Sequence, residues 1–138
     1  MITGNPSYDE IFQLLKTPKK NNIQKNKKNI LILTALLYGQ SRKKALSQRK
    51  LFIQKVTKAI PKDEFDVVIK IHPTHEDLDD YTNILGSLNS SVSVMQNANL
   101  AELVLNADII ITPVTGTSVI TAFVARKPII IWNVFNVK

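Results

Sequence analysis

Short apolar runs of strand length alternate along this chain with stretches whose apolar residues recur at helical spacing, and few folds accept that pattern. The strand-like runs are "NILILTALL" from Asn29, "FDVVIKIHP" from Phe65, "SVSVMQ" from Ser91, "DIIITPV" from Asp108 and "KPIIIWNVF" from Lys127. Between them, "SQRKLFIQKVTKAIP" carries Phe52, Val56, Ala59 and Ile60 at helical spacing and is closed by Pro61. "THEDLDDYTNILGSL" offers Thr74 as N-cap, acids in the first turn, and Leu78, Tyr81, Leu85 and Leu88 along one face. "NLAELVLNA" places Leu100, Leu103, Val104 and Ala107 together, with Asn99 and Glu102 at capping positions. "GTSVITAFVAR" is apolar nearly all round, as suits a helix buried between a sheet and a further covering surface.

Strands that read as continuous apolar runs and alternate with helices belong to a parallel sheet covered on both faces. Right-handed crossovers make the economical arrangement an α/β, Rossmann-like three-layer sandwich, its five parallel strands in the order 3-2-1-4-5. Residues 29–138 are assigned to this domain. Residues 1–28 read as a junction helix, "NPSYDEIFQLLK", with Ser7 and Glu10 spaced as a capping box, followed by the basic linker "TPKKNNIQKNKK".

A 138-residue chain with 44% hydrophobic and 21% charged residues can bury one proper core. There are no cysteines, which excludes disulfides and thiolate metal sites. No apolar run reaches the length of a membrane span, and "MITGNPSYDE" has no signal-peptide character, so a cytoplasmic location is expected. The net charge of +7 is unevenly spread: thirteen Lys or Arg and no acid lie between Lys16 and Lys58. Such a block points to an anionic partner: nucleotide phosphates, nucleic acid or a membrane surface. Nucleic acid is not expected, because no recognised motif is present and no aromatic residues are interleaved with the lysines.

In an open parallel sheet, ligands bind beyond the carboxyl ends of the strands where the strand order reverses, here between the first and fourth strands. The first strand leads into "YGQSRKK", bringing Arg42, Lys43 and Lys44, and the fourth into "PVTGTS", bringing Thr115, Gly116, Thr117 and Ser118 at a helix start. Exposed amide N–H groups and a positive helix end suit a phosphate, Gly116 permits close approach, and the hydroxyls can donate. His72 ends the second strand at the same rim, and Gln96 after the third strand is a candidate for a nucleobase contact. His75 is assigned no role, and the two histidines without a third partner make no metal site.

Taken together, "ITGNPSYDEI", "VIKIHP" and "ADIIITPVTGTSVITAFVARKPIIIW" resemble the carboxyl-terminal half of GT-B-fold enzymes of surface polysaccharide assembly. These are capsule-type glycosyltransferases, CDP-glycerol glycerophosphotransferases and UDP-N-acetylglucosamine 2-epimerases. The resemblance implies a nucleotide-activated sugar or polyol donor whose phosphate meets His72, Thr117 and Ser118 beside Gly116. It implies no cofactor and no obligatory metal, and it draws the acceptor and the catalytic base from a missing amino-terminal half. On that reading the chain is a fragment that is inactive alone, in the cytoplasm or peripheral at the inner face of the membrane. The alternatives are a non-catalytic basic module for nucleic acid or anionic lipid, and an epimerase-like domain, for which the expected acids are absent. Where many relatives carry a ribose-holding Glu one turn into the helix, this chain has Ile120, Thr121 and Ala122, which leaves nucleotide and sugar open.

Overall fold

The alternating pattern folds as its periodicity demands. The computed structural model describes residues 8–16, 26–34, 41–85, 92–113 and 116–132. In chain order the elements are α1 (Asp9–Lys16), β1 (Lys28–Leu33), α2 (Arg42–Ala59), β2 (Phe65–Lys70), α3 (Asp79–Leu85), β3 (Val92–Met95), α4 (Leu100–Asn106), β4 (Ile109–Thr112), α5 (Thr117–Val124) and β5 (Ile129–Ile131). The strands form one all-parallel sheet in the order β3-β2-β1-β4-β5, the expected Rossmann-like arrangement. Central β1 pairs on both sides, Ile30 facing Val67 of β2 and Ile109 of β4.

Successive side chains of a strand point to opposite faces, and β1 supplies both halves of the core. Ile30 and Ile32 pack with Val67, Ile69 and Ile71 beneath Phe52, Ile53 and Val56 of α2 and Tyr81 and Ile84 of α3. Leu31 and Leu33 pack on the other face with Ile110, beneath Val104 of α4 and Ala122 of α5. Ile11 of α1 is buried in this second cluster, and Asn99, which caps α4, donates from Nδ2 to Glu10 at 2.6 Å. The Ser7 half of the expected capping box lies outside the described residues.

Two helices begin elsewhere than the sequence predicts. α2 opens at Arg42, because Ser41 accepts from the Lys44 amide at 3.4 Å and caps the helix. Arg42, Lys43 and Lys44 therefore occupy a first helical turn and not a loop. Thr74 caps nothing: residues 72–78 make a side-chain-braced turn, and α3 waits until Asp79. The buried face of α3 is accordingly Tyr81 and Ile84, while Leu78 is exposed and Leu88 lies outside the described residues.

α5 ends in a Schellman arrangement, Lys127 N bonding Ala122 O and Arg126 N bonding Phe123 O, with Arg126 in the left-handed region at φ 55°. The Lys127 ammonium donates to the carbonyls of Leu105 and Ala107 at 2.6 and 2.7 Å, which ties the end of α4 to the start of β5. The covered face of α5 carries Val119, Ala122 and Ala125, whereas Ile120 and Phe123 (69% exposed) stand bare on the other. No helix among the described residues is long and apolar enough to cross a membrane.

Candidate functional site

Because the strands are parallel, the segments that follow β1, β2, β3 and β4 all leave from one rim of the sheet. Four of them carry candidate residues: Arg42, Lys43 and Lys44 after β1, His72 after β2, Gln96 after β3, and Gly116 to Ser118 after β4.

His72 is held by its own turn. Its backbone amide donates to Glu76 Oε2 at 2.7 Å, and its ring Nδ1 accepts from the amides of Thr74 and His75 at 3.2 and 3.3 Å. A nitrogen that accepts two N–H groups carries no proton, so the ring proton resides on Nε2. Nε2 has no hydrogen-bond partner among the described residues. Burial lowers the His72 pKa below the ordinary histidine value, helped by the neighbouring His75 and opposed by Glu76. The product is a neutral, half-exposed imidazole whose remaining polar group is an N–H donor. Exposed His75 lies against it, the ring centroids 4.6 Å apart and the planes tilted by 46°.

Glu76 is the residue that sequence reasoning missed. Its side chain is 1% exposed and lies 3.5 Å from Nε of Arg49, itself 8% exposed. The same carboxylate accepts from the Tyr81 phenol, the Thr34 hydroxyl and the His72 amide. One side chain thus joins the end of β1, the interior of α2, the turn after β2 and α3. Burial and the adjacent carboxylate push the Tyr81 pKa well above the ordinary tyrosine value, so its hydroxyl remains a donor.

Gln96 serves the same turn. Its amide nitrogen donates to Pro73 O at 3.1 Å and Glu76 O at 2.7 Å, which commits it to bracing the histidine segment. Lys70 likewise turns inward, donating to the carbonyls of Ile71 and Gln96 at 2.8 and 2.7 Å, and burial lowers its pKa.

At the mouth of α5, Gly116 is the N-cap and provides no side-chain cap. Its backbone is extended, with φ −177° and ψ −172°, a conformation open to any residue. A Cβ built there meets no heavy atom within 4 Å. Neither conformation nor packing among the described residues requires a glycine. Ser118 is half-buried in the first turn, Thr117 opens the helix, and Thr115 lies outside the described residues.

Three cations in the first turn of α2 oppose the positive end of its dipole, each an unfavourable placement worth tenths of a kcal/mol. Asp80 offsets part of it, 3.5 Å from the Arg42 guanidinium. Among the described residues no group of three or more His, Asp or Glu is placed to hold a metal ion. No protein-family model matches the sequence, and no curated protein matches it.

Proposed function

We propose that this rim holds the phosphate of a nucleotide-activated sugar or polyol, and that the chain is the donor-binding half of a GT-B-type transferase of surface polysaccharide synthesis. The carrying observation is His72, fixed through Nδ1 at the rim beside the reversal of strand order, its Nε2 without a partner among the described residues. The N-terminus of α5, where Gly116 gives no side-chain cap, is assigned backbone donors to the phosphate, and the hydroxyls of Thr115, Thr117 and Ser118 are proposed to join them. Arg42, Lys43 and Lys44 add positive potential from α2. Neutral donors and helix ends beside a departing nucleotide phosphate stabilise the charge that it develops, without a metal. The acceptor and the base come from an amino-terminal partner half, so the chain alone binds donor and does not turn it over.

Gly116 supplies the test. Since its conformation suits any residue and a methyl group meets no atom of the described residues, Gly116→Ala should change stability by no more than about 1 kcal/mol, the lost freedom of the unfolded chain offsetting alanine's poorer N-capping. In the proposed site the added methyl stands where the phosphate approaches the amides. Calorimetric titration with UDP, CMP and CDP-glycerol should give an affinity at least about tenfold weaker for the variant, a loss of about 1.4 kcal/mol. Equal affinities in the two proteins, or equal binding of uridine and UDP, would count against the proposal.

A further inference from the structure

The basic block resolves into two populations once folded. Arg49 turns into the core against Glu76, and Arg42 leans on Asp80. Arg42 stays exposed, about 80° or more around the helix from the lysines, and the remaining charges that α2 presents to solvent are lysines: Lys43, Lys44, Lys55 and Lys58 are exposed and Lys50 is half-exposed. At 100° per residue these five fall within an arc of about 140°, and from Lys43 to Lys58 they extend for about 22 Å along the helix. The opposite side of α2 is spent on the core through Ala45, Phe52, Ile53 and Val56. None of the five lysines is in an ion pair among the described residues. No acid occurs in α2; the nearest in sequence are Asp63 and Glu64, in the turn beyond its carboxyl end.

We infer that the lysine face of α2 docks the chain onto a phospholipid bilayer bearing anionic headgroups. The choice of occupant rests on which cations remain outside. Arginine, with its planar fork, reads individual phosphates in fixed geometry, whereas lysine is a flexible point charge. Here both arginines of the helix have carboxylate neighbours, so the outward face is one of diffuse charge with little geometric selectivity. Its one aromatic residue, Phe52, is buried and cannot stack on a base. Leu51, 46% exposed on the lysine side, is placed to reach the boundary between headgroups and acyl chains. A straight, convex row of lysines around one apolar side chain complements a planar anionic surface. Each lysine near such a surface strengthens partitioning about fivefold, and the attraction fades within a Debye length, about 10 Å at 0.1 M salt. The face shares Lys43 and Lys44 with the proposed phosphate site but needs neither His72 nor Gly116, and the variants that test it leave both of those lysines in place.

A charge-matched comparison tests it. The triple variant Lys50→Gln, Lys55→Gln, Lys58→Gln removes three charges from the face. A second variant, Lys16→Gln, Lys28→Gln, Lys62→Gln, removes three exposed charges from outside the helix. All these side chains are solvent-facing, so both variants should melt with the wild type. In sedimentation with phosphatidylcholine vesicles containing about 30 mol% phosphatidylglycerol, the α2 variant should partition about 100-fold more weakly than wild type, the second less than tenfold. Nucleotide titrations of both should match wild type. Equal losses in the two variants, or no sedimentation of wild type with these vesicles, overturns the inference. Salt-dependent binding to a single-stranded RNA that only the α2 variant loses, without vesicle binding, would assign the face to nucleic acid instead.

Discussion

Replacing Glu76 with alanine should cost the fold about 3–5 kcal/mol, the penalty for stripping a buried ion pair of one partner. The carboxylate sits at 1% exposure between Arg49, Tyr81, Thr34 and the His72 amide. Its removal takes from the buried Arg49 guanidinium the carboxylate 3.5 Å away, and from the Tyr81 and Thr34 hydroxyls this acceptor. A domain of this kind has a total stability of only about 5–15 kcal/mol, so the variant stands near the edge of folding. Urea unfolding followed by circular dichroism reads the loss directly. Glu76→Gln keeps the shape but introduces an N–H group among donors, and should fall between the two. The double variant Arg49→Met with Glu76→Leu removes both charges and should recover only the part of the loss due to the broken ion pair, because the Tyr81 and Thr34 hydroxyls and the His72 amide still lack the carboxylate. A Glu76→Ala protein within about 1 kcal/mol of wild type would contradict the assigned role.

His72→Asn and His72→Gln should separate two functions of one ring. Asparagine places an oxygen near the position of Nδ1 and can still accept from Thr74 and His75, but has nothing at the position of Nε2. Glutamine reaches the Nε2 position and abandons the turn. His72→Asn should therefore melt close to wild type while nucleotide affinity falls about 10–100-fold, the worth of a hydrogen bond to a charged group. His72→Gln should lose about 1 kcal/mol of stability. The pH response follows from the lowered pKa of the folded histidine. Unfolded histidine titrates near about 6.5, so just below that pH the unfolded chain binds more protons than the folded one. The contribution of His72 is complete above about pH 6.5 and is lost as pH falls toward the lower folded value. Urea midpoints between about pH 5 and 8 should show this acid slope in wild type and a flatter one in His72→Asn. Coincident slopes would show that the ring is not held neutral.

Much of the architecture is legible in the chain because burial on both faces leaves an unmistakable trace. β1 and β4 carry the uninterrupted apolar runs 30–33 and 109–111, and their only sensible partners are parallel strands wrapped by helices. The rim was legible too, since the strand order decides which segments leave from it. What failed was local. "SRKK" looks like a polar loop because its cations disfavour a helix start, yet the Ser41 cap begins the helix there. "THED" looks like a capped acidic first turn, but Pro73, the acceptor on His72 and the anchor of Glu76 spend those residues on a turn. The pairing of Glu76 with Arg49 joins residues 27 positions apart, and no periodicity reports such a contact. One signal did exist: Arg49 lies three residues before Phe52 on the apolar side of α2, where an unpaired charge would be intolerable. Gln96 was readable as a polar residue at the rim but not as a brace, because its partners lie on another turn.

The most direct test of the proposed phosphate seat is a titration of the isotopically labelled chain with CMP, UDP and CDP-glycerol, followed by amide and imidazole nitrogen resonances. The proposal predicts saturable shifts at the Gly116 and Ser118 amides together with the His72 Nε2–H, the Nδ1 resonance remaining that of an unprotonated nitrogen throughout. Shifts confined to the lysines of α2, or none at these three residues with any nucleotide, would contradict it.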